Sequence, residues 1–272
     1  MQQSMTIYSA HRLFKDSGMT VKDFIAYAGS LGLEGVELGY YWDDEVNELA
    51  SVPAWLKDAN LKLSGYIVAN NFAFPDADRR AEEVEKVNHA VDNAQRLGTD
   101  VLRIFGGGGG LEVTFDEARE YAVDCFRECN EYAAARGVRL ALEDHGGIAA
   151  NSEHLLYYES ELNSPNFGFM VDIGNFRSTG GEDPLDGVRR TAHKAFQVHL
   201  KDVKRDAQGF WKACVLGEGD VPIKECLQVL RDVGFDGYLS LEYEAADAVK
   251  DGIERSLRNL RTINLSESTP KI

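Results

Sequence analysis

Short runs of alternating apolar and polar residues recur along the whole chain, separated by stretches with helical periodicity. These runs predict eight β-strands, at residues 5–10, 35–39, 61–68, 100–105, 138–143, 167–172, 195–201 and 237–242. Residues 78–98 and 219–234 instead repeat their apolar positions with the spacing of amphipathic helices. In the second of these helices, Asp220 is the predicted N-cap and Gly234 the predicted stop.

Strands that alternate with helices along a chain form parallel sheets, and this alternation continues from one end of the sequence to the other. Eight such units in 272 residues predict an α/β fold of the (β/α)8 TIM-barrel type. A doubly wound open sheet is the alternative. No linker rich in Pro, Gly or Ser interrupts the pattern, so residues 1–264 are predicted to form a single domain, followed by a C-terminal tail at 265–272.

The last four predicted strands share one pattern near their C-terminal ends. Bulky apolar residues occupy one face of each strand, as Phe196, Val198 and Leu200 do, while the other face carries one side chain of a metal-binding type. In a barrel, the active site lies at the C-terminal ends of the strands. The pattern therefore predicts that four such side chains converge there: Glu143, Asp172, His199 and Glu242.

Three carboxylates and one imidazole suit a divalent ion of octahedral geometry that also binds water or substrate oxygens. Mn²⁺, Mg²⁺ or Co²⁺ fits this set better than a structural zinc, although Zn²⁺ remains an alternative. Considered singly, each acid could cap a helix or face solvent, and the histidine could be an ordinary core residue. The shared phase on four successive strands favours the metal site, and "LEDHGG" (142–147) then forms one corner of it.

Composition restricts the partners of the protein. The formal net charge of −16 disfavours binding to nucleic acid and to acidic membranes, so a small-molecule ligand is expected. The sequence shows no signal peptide and no run of eighteen apolar residues, which predicts a cytoplasmic protein. The cysteines lack CxxC spacing and are predicted to be buried or half-buried thiols: Cys125, Cys129, Cys214 and Cys226.

Five short motifs resemble those of a known superfamily in their order and spacing. They are "LALEDHGG", "VDIGNF", "VHLKD", "LGEGDVP" and "GYLSLEYE". Together they are similar to the xylose isomerase-like TIM barrels, which include sugar phosphate isomerases/epimerases, ketose 3-epimerases, inosose isomerases and endonuclease IV. The resemblance covers nearly the whole chain and implies that the four metal ligands are Glu143, Asp172, His199 and Glu242.

The same resemblance implies a metal-dependent isomerase or epimerase that acts on a ketose or cyclitol. In such enzymes a divalent ion stabilises an enediolate while carboxylates transfer the proton. By analogy with the epimerases, Glu143 and Glu242 are the acid/base pair. A homo-oligomer is also compatible with the resemblance, because barrels of this kind often form dimers or tetramers.

Two positions depart from the pattern of the ketose 3-epimerases. Asn175 stands where those enzymes usually have a histidine, and Ala149 stands where they usually have a glutamate. Arg205 matches the substrate-binding arginine of the family, and His145 could replace part of the missing set. The predicted substrate-binding residues are His145, Asn175, Lys201 and Arg205. Lys201 alternates inward after His199 but could simply pair with a nearby acid, and His145 could equally be a loop residue or a residue that supports the site from behind.

Further candidates carry weaker signals. Gly106 to Gly110 could bring backbone amides close to an anion or a sugar, or form an ordinary rim loop. No GK[ST] follows them, which argues against a nucleotide P-loop. Four residues after the early strands could contact a sugar or simply pack the rim: His11, Glu37, Tyr40 and Trp42.

Three other functions are weighed against the isomerase. A lyase or dehydratase, of the dehydroshikimate dehydratase kind, could use the same metal site, and Asn175 in place of histidine favours it. An endonuclease IV-like activity would need several more histidine ligands and a basic face, whereas this chain has six histidines in all. A sugar-binding protein without activity would not need three neighbouring carboxylates.

Overall fold

The structure, a computed structural model, describes residues 1–108, 112–246 and 248–265. Its strands are β1 (Gln2–Thr6), β2 (Gly35–Leu38), β3 (Lys62–Ile67), β4 (Val101–Ile104), β5 (Arg139–Glu143), β6 (Phe167–Asp172), β7 (Ala195–Leu200), β8 (Asp202–Arg205), β9 (Trp211–Cys214) and β10 (Tyr238–Leu241). Its α-helices are α1 (His11–Ser17), α2 (Val21–Ser30), α3 (Glu45–Asp58), α4 (Ala77–Leu97), α5 (Phe115–Ala134), α6 (Ser152–Leu162), α7 (Asn175–Ser178), α8 (Pro184–Thr191), α9 (Ile223–Asp232) and α10 (Val249–Leu265).

Eight parallel strands close into a barrel in the order β1-β10-β7-β6-β5-β4-β3-β2. This closed order confirms the predicted (β/α)8 barrel and rules out the open doubly wound sheet. Helices between the strands bury their apolar faces against the outside of the barrel. Leu140, Leu142, Phe167 and Phe169 belong to this outer core, as their phase on the strands predicts.

A smaller core fills the barrel lumen and lies beneath the polar cluster. It contains Val101, Ala141 and Met170. Two residues further along the same three strands stand Arg103, Glu143 and Asp172, which are also buried. Since side chains two apart on a strand point to the same face, the apolar layer is followed directly by a charged layer at the C-terminal ends of the strands.

Phe196 does not lie on the helix-facing side that its alternation predicts. It packs instead against the lumen core of Val101, Ala141 and Met170. The register between β6 and β7 shifts at this point, so that Phe169 pairs with Ala195 and Met170 with Gln197. The extra residue is a β-bulge, which interrupts the regular alternation of side chains. Beyond the bulge, Val198 and Leu200 face outward as predicted.

The first strand lies earlier in the chain than predicted. Residues 5–10 were expected to be extended, but β1 ends at Thr6 and Ile7–Ala10 form a 3-10 turn. The Ser9 hydroxyl donates to the carbonyl of Leu241 and accepts from the amide of Tyr243, at 2.9 Å each. These bonds tie the turn to the end of β10, a tertiary contact that the local alternation cannot reveal.

The start of α9 also differs from the prediction. Pro222, not Asp220, occupies the N-cap position, and no side chain caps the helix there. The backbone amide of Asp220 instead donates to the carbonyl of Val203 at 2.8 Å. At the other end, α9 stops at Asp232, with Gly234 in a left-handed conformation shortly after, as expected for a glycine stop.

An antiparallel hairpin, β8–β9, stands outside the barrel and was not predicted. Asp202 organises the loop that follows it. Its carboxylate accepts backbone amides from Val203 and Val221 on one oxygen, and from Gly217 and Gly219 on the other, at 2.8–3.2 Å. The motifs "VHLKD" and "LGEGDVP" are therefore joined by structural hydrogen bonds.

All four cysteines are buried and free, which confirms their expected role as thiols: Cys125, Cys129, Cys214 and Cys226. Helix α10 extends to Leu265, while residues 266–272 of the predicted tail lie outside the described part of the chain. No helix among the described residues is both long and apolar enough to cross a membrane.

Candidate active site

Four side chains meet at the C-terminal ends of adjacent barrel strands, as the shared phase predicts. Each offers one ligand atom, and these atoms all lie within 4.8 Å of one another: Glu143, Asp172, His199 and Glu242. Each side chain is almost completely buried. Direct pairing of β6 with β7 sets Asp172 beside His199 in the sheet register. The predicted convergence is therefore present in the fold.

Each glutamate of this cluster holds a buried cation with one oxygen and points the other toward His199. Glu143 Oε2 lies 3.1 Å from Arg103 Nε, and Glu242 Oε2 accepts from Lys201 Nζ at 2.9 Å. The opposite oxygens, both Oε1, lie 3.5 and 3.7 Å from His199 Nδ1. One face of each carboxylate is thus left for a ligand at the centre of the cluster.

Asp172 is held in place by backbone amides. Its Oδ1 accepts the amides of Gly174 and Asn175 at 2.8 and 3.0 Å, at the start of α7. Its own amide donates to the buried carboxylate of Asp144 at 2.7 Å. Asp172 Oδ2 remains directed at the cluster, 3.6 Å from Lys201 Nζ.

Burial and neighbouring charges shift the pKa values of the cluster in different directions. Burial raises the pKa of Asp172 well above its ordinary value, and the charges of Glu242 and Glu143 raise it further against the effect of Lys201. Burial also acts to raise the pKa of Glu143, but Arg103 and His199 hold it below its ordinary value. Glu242 behaves alike, with Lys201 and His199 lowering its pKa.

The two nitrogen bases respond to the same carboxylates. Burial acts to lower the pKa of His199, but Glu37, Glu242 and Glu143 raise it well above its ordinary value. For Lys201, burial is likewise outweighed, and Glu242, Asp172 and Glu244 raise the pKa. Both shifts reflect the negative charge of the carboxylates around these two bases.

The chemistry of the donors fits a divalent ion. Asp172 Oδ2 and His199 Nδ1 are buried and have no hydrogen-bond partner among the described residues. Buried polar atoms are normally paired, and a cation between these two atoms would give both of them a partner. Oxygen donors with one imidazole are typical of Mn²⁺ and Mg²⁺ sites, whereas a tetrahedral structural zinc would use thiolates or more histidines.

The predicted substrate-binding residues occupy different positions relative to this cluster. Asn175 Nδ2 donates to Glu143 Oε1 at 3.3 Å, and its Oδ1 accepts from Lys201 Nζ at 3.2 Å, so both side chains join the buried network. His145 is exposed and stacks on Phe105, with ring centres 4.2 Å apart.

Arg205 lies away from the network in the described contacts. It is exposed at the end of β8, and its guanidinium lies 4.8 Å from the ring centre of Trp211. Arg205 was matched to the family only by its position six residues after His199. That spacing does not reveal that the residue lies in the β8–β9 hairpin. A substrate contact by Arg205 remains a prediction.

An aromatic cavity of about 400 Å³ opens beside the cluster. Glu242 and Arg103 contribute its charged walls, and the remaining walls come from Tyr8, Tyr40, Tyr41, Ala69, Phe105 and His145. Flat rings next to carboxylates are suited to a small polar molecule that also has C–H faces. Tyr40 therefore lines the cavity, where it could contact a bound sugar.

The other early-strand candidates lie elsewhere. His11 Nδ1 contacts the carbonyl of Tyr8 at 2.9 Å, and both His11 and Trp42 line a separate cavity. Glu37 is completely buried and contacts His199 rather than the aromatic cavity.

Sequence reasoning missed Arg103. Its guanidinium donates to the carbonyl of Val68 and to the hydroxyl of Tyr40 at 3.0 Å each, besides lying against Glu143. The signal was available, because Arg103 is a charged residue at an inward position within the apolar run "DVLRIF". A charge at such a position requires a buried partner of opposite sign.

The glycine-rich segment packs closely against the "HGG" loop. Ile148 donates its amide to the carbonyl of Gly107 at 3.0 Å, while Gly109 and Gly110 lie outside the described residues. Ala149 is buried, and a side chain at Gly106 would come 3.0 Å from its Cβ. Ala149 therefore packs in the interior beside the glycine-rich segment.

Comparisons with known proteins identify the family and agree with the barrel fold. A family model described as xylose isomerase-like TIM barrel matches residues 25–263. The L-ribulose-5-phosphate 3-epimerase UlaE of Shigella flexneri is 29% identical over 246 residues, covering 82% of this chain and 84% of the relative. The sequence relatives are thus sugar epimerases.

Two solved structures show the same fold. The IolI protein with a bound zinc atom has a TM-score of 0.82 at 17% identity, over 99% of this chain and 100% of that one. The probable 3-DHS dehydratase AsbF of Bacillus anthracis has a TM-score of 0.76 at 21% identity, over 96% and 99%. Different activities are therefore attributed to proteins that share this barrel.

Proposed function

Because the chain belongs to the xylose isomerase-like TIM barrel family, we propose that it is a divalent-metal-dependent isomerase or epimerase of a ketose or cyclitol. The observation that carries the proposal is the convergence of three carboxylates and one imidazole within 4.8 Å, next to an aromatic cavity. A binding protein without activity would not need such repulsive neighbours.

Glu143, Asp172, His199 and Glu242 would hold the ion. When bound, a divalent ion supplies Lewis-acid stabilisation of negative charge on substrate oxygens. The chain itself supplies the groups that move protons. Both glutamates are kept ionised by a buried cation on Oε2, which leaves each Oε1 facing the cluster as a proton acceptor.

The aromatic cavity orients the substrate in this proposal. Tyr8, Tyr40 and Phe105 can pack against the C–H face of a sugar, while His145 at the edge can hydrogen-bond a hydroxyl. Lys201 and Asn175 are already engaged with the glutamates. Their main role is therefore to hold Glu143 and Glu242 in place, with a substrate contact added when a hydroxyl approaches.

Solvent-deuterium incorporation tests the proposal. The protein is incubated with Mn²⁺ in D₂O and a panel of ketoses, inososes and keto acids, and mass spectrometry follows label uptake. Glu143→Gln and Glu242→Gln should each reduce the exchange rate by about 10²- to 10⁴-fold. Glu45→Gln, on the outer helix α3, is the matched control and should exchange like wild type. No uptake on any compound, or equal rates in all variants, would refute the isomerase.

A metal-dependent dehydratase of a keto sugar or dehydroshikimate-like substrate is the second candidate. The observation that favours it is Asn175, whose amide bridges Glu143 and Lys201 where the ketose 3-epimerases have a titratable histidine. Removal of the proton on the carbon next to the carbonyl, with loss of the hydroxyl from the following carbon as water, would create an enone that absorbs in the ultraviolet. Appearance of that band without label return to the starting sugar would select the dehydratase.

A further inference from the structure

Glu37 of β2 lies across the barrel lumen from the metal cluster and contacts one of its members. Its Oε2 is 2.9 Å from His199 Nε2, and both side chains are completely buried. Glu37 does not belong to the group of four converging ligand atoms. Its contact with the cluster is therefore made through the imidazole of His199.

A second contact fixes the Glu37 carboxylate. Gln197 Nε2 donates to Glu37 Oε1 and lies 3.4 Å from the hydroxyl of Ser64 on β3. Gly65 makes room for this arrangement, since a Cβ there would lie 2.8 Å from Gln197 Oε1. Residues from β2, β3 and β7 thus hold one carboxylate against one face of His199.

The hydrogen bond with Glu37 determines which ring nitrogen of His199 carries the proton. An ionised carboxylate only accepts, so the proton between the two groups belongs to His199 Nε2. In the neutral ring, Nδ1 then carries the lone pair. That atom points at Glu143 Oε1 and Glu242 Oε1 and has no hydrogen-bond partner among the residues described.

We propose that Glu37 is a positioning residue that fixes the tautomer and orientation of His199, so that Nδ1 is presented to the divalent ion. Gln197 supports it by holding the other carboxylate oxygen. A partner of this kind raises the basicity of a ligating imidazole and limits its rotation. A role in packing alone does not require a carboxylate, because burying one without need is costly. The inference rests on the metal site of the proposed function.

Metal affinity provides the test, because it requires no knowledge of the substrate. Titration calorimetry measures the dissociation constant for Mn²⁺, and visible absorption of the Co²⁺-loaded protein reports the ligand geometry. Glu37→Gln should weaken Mn²⁺ binding by about 10- to 100-fold and change the Co²⁺ spectrum. Gln197→Ala should weaken Mn²⁺ binding and change the Co²⁺ spectrum in the same direction, but less than Glu37→Gln does. This second variant keeps the proposal testable if Glu37→Gln does not fold.

Ser240→Ala is the matched control. Ser240 is buried in the lumen next to His199 in the sheet register, and its hydroxyl has no hydrogen-bond partner in the described part of the chain. Its affinity and spectrum should equal those of wild type. Wild-type Mn²⁺ affinity and an unchanged Co²⁺ spectrum in the Glu37 and Gln197 variants would overturn the positioning role. Failure of the wild-type protein to bind any divalent ion would instead remove the metal site on which the proposed function rests.

Discussion

Lys201 shows how much one buried charge does in this molecule. Its ammonium lies 2.9 Å from Glu242, 3.0 Å from Glu244 and 3.6 Å from Asp172. These acids come from two different strands of the barrel, and a single cation compensates part of their charge. Without it, the buried carboxylates would repel one another.

Replacing this lysine should destabilise the metal-free protein. We expect Lys201→Met to lower the free energy of unfolding by about 3–5 kcal/mol, because it leaves buried carboxylates without a partner. Added Mn²⁺ should restore part of the loss, since a second cation then compensates the same acids. Urea denaturation with and without Mn²⁺ measures both effects.

The neighbouring Lys204 is the control for this experiment. It is exposed on β8, so Lys204→Met should change the free energy of unfolding by no more than about 0.5 kcal/mol. Equal effects of the two substitutions would contradict the compensating role of Lys201.

At the scale of elements, the loops after β4 and β5 depend on glycines that allow close backbone approach. Gly147 has a positive φ of 57°, and a Cβ there would lie 2.1 Å from the carbonyl oxygen of Gly107 and 2.8 Å from the Cα of Gly108. The two loops therefore touch through their backbones, and they carry Phe105 and His145, which line the aromatic cavity.

Gly137 is a control for Gly147, because it allows the cost of an unfavourable φ to be measured without the cost of atomic overlap. It also has a positive φ, of 69°, but a Cβ there would meet nothing within 4 Å. Gly137→Ala should therefore cost only about 1 kcal/mol, whereas Gly147→Ala should cost about 1–3 kcal/mol more because atoms overlap. Urea denaturation measures the two costs, and faster hydrogen exchange at the amide of Ile148 should accompany the second variant alone. Indistinguishable variants would argue against the close packing of the loops.

At the scale of the whole molecule, the buried thiols should make the protein less stable as the pH rises above 9. Burial raises the pKa of Cys125 to about 11 and of Cys214 and Cys226 to about 12, from an ordinary value of 9.0. The unfolded chain therefore loses these protons first as the pH rises. Their contribution to stability is complete below pH 9 and should be lost between pH 9 and about 12.

Urea denaturation at increasing pH checks this decline, and Cys226→Ala should make it less steep. The same burial predicts that thiol reagents react slowly with the native protein at pH 8 and rapidly with all four thiols in urea. A native reaction as fast as the unfolded one would show that the thiols are accessible.

Metal removal should also change the stability of the whole molecule, since the ion would bind only the folded cluster. At a free Mn²⁺ concentration 100 times the dissociation constant, binding should add about 2.7 kcal/mol to the free energy of unfolding, and EDTA should abolish this gain. Thermal unfolding with and without EDTA measures it. Asp172→Asn should largely lose the response, while Glu45→Gln should retain it; a response that survives in Asp172→Asn would place the ion elsewhere.

The sequence by itself determined the eight barrel strands, the closed barrel and the four converging side chains. Their placement follows from local rules, because alternation fixes which face a residue takes and parallel strands end at the same side of a barrel. Glu143, Asp172, His199 and Glu242 could therefore be named before any distance was known. The bulge at Phe196 shows the limit of this reasoning, since one extra residue displaces a side chain without any sign in the local pattern.

Only the tertiary structure decided which buried charges face one another. Glu37 and His199 are 162 positions apart in the chain, and Arg103 meets Glu143 across neighbouring strands. Closure of the barrel sets these distances, and local periodicity contains no information about the opposite wall. The cations beside the glutamates and the acid behind the histidine follow from long-range packing, which the sequence specifies only through the complete fold. The hairpin that carries Arg205 is instead a local pairing, which the pattern of predicted strands did not include.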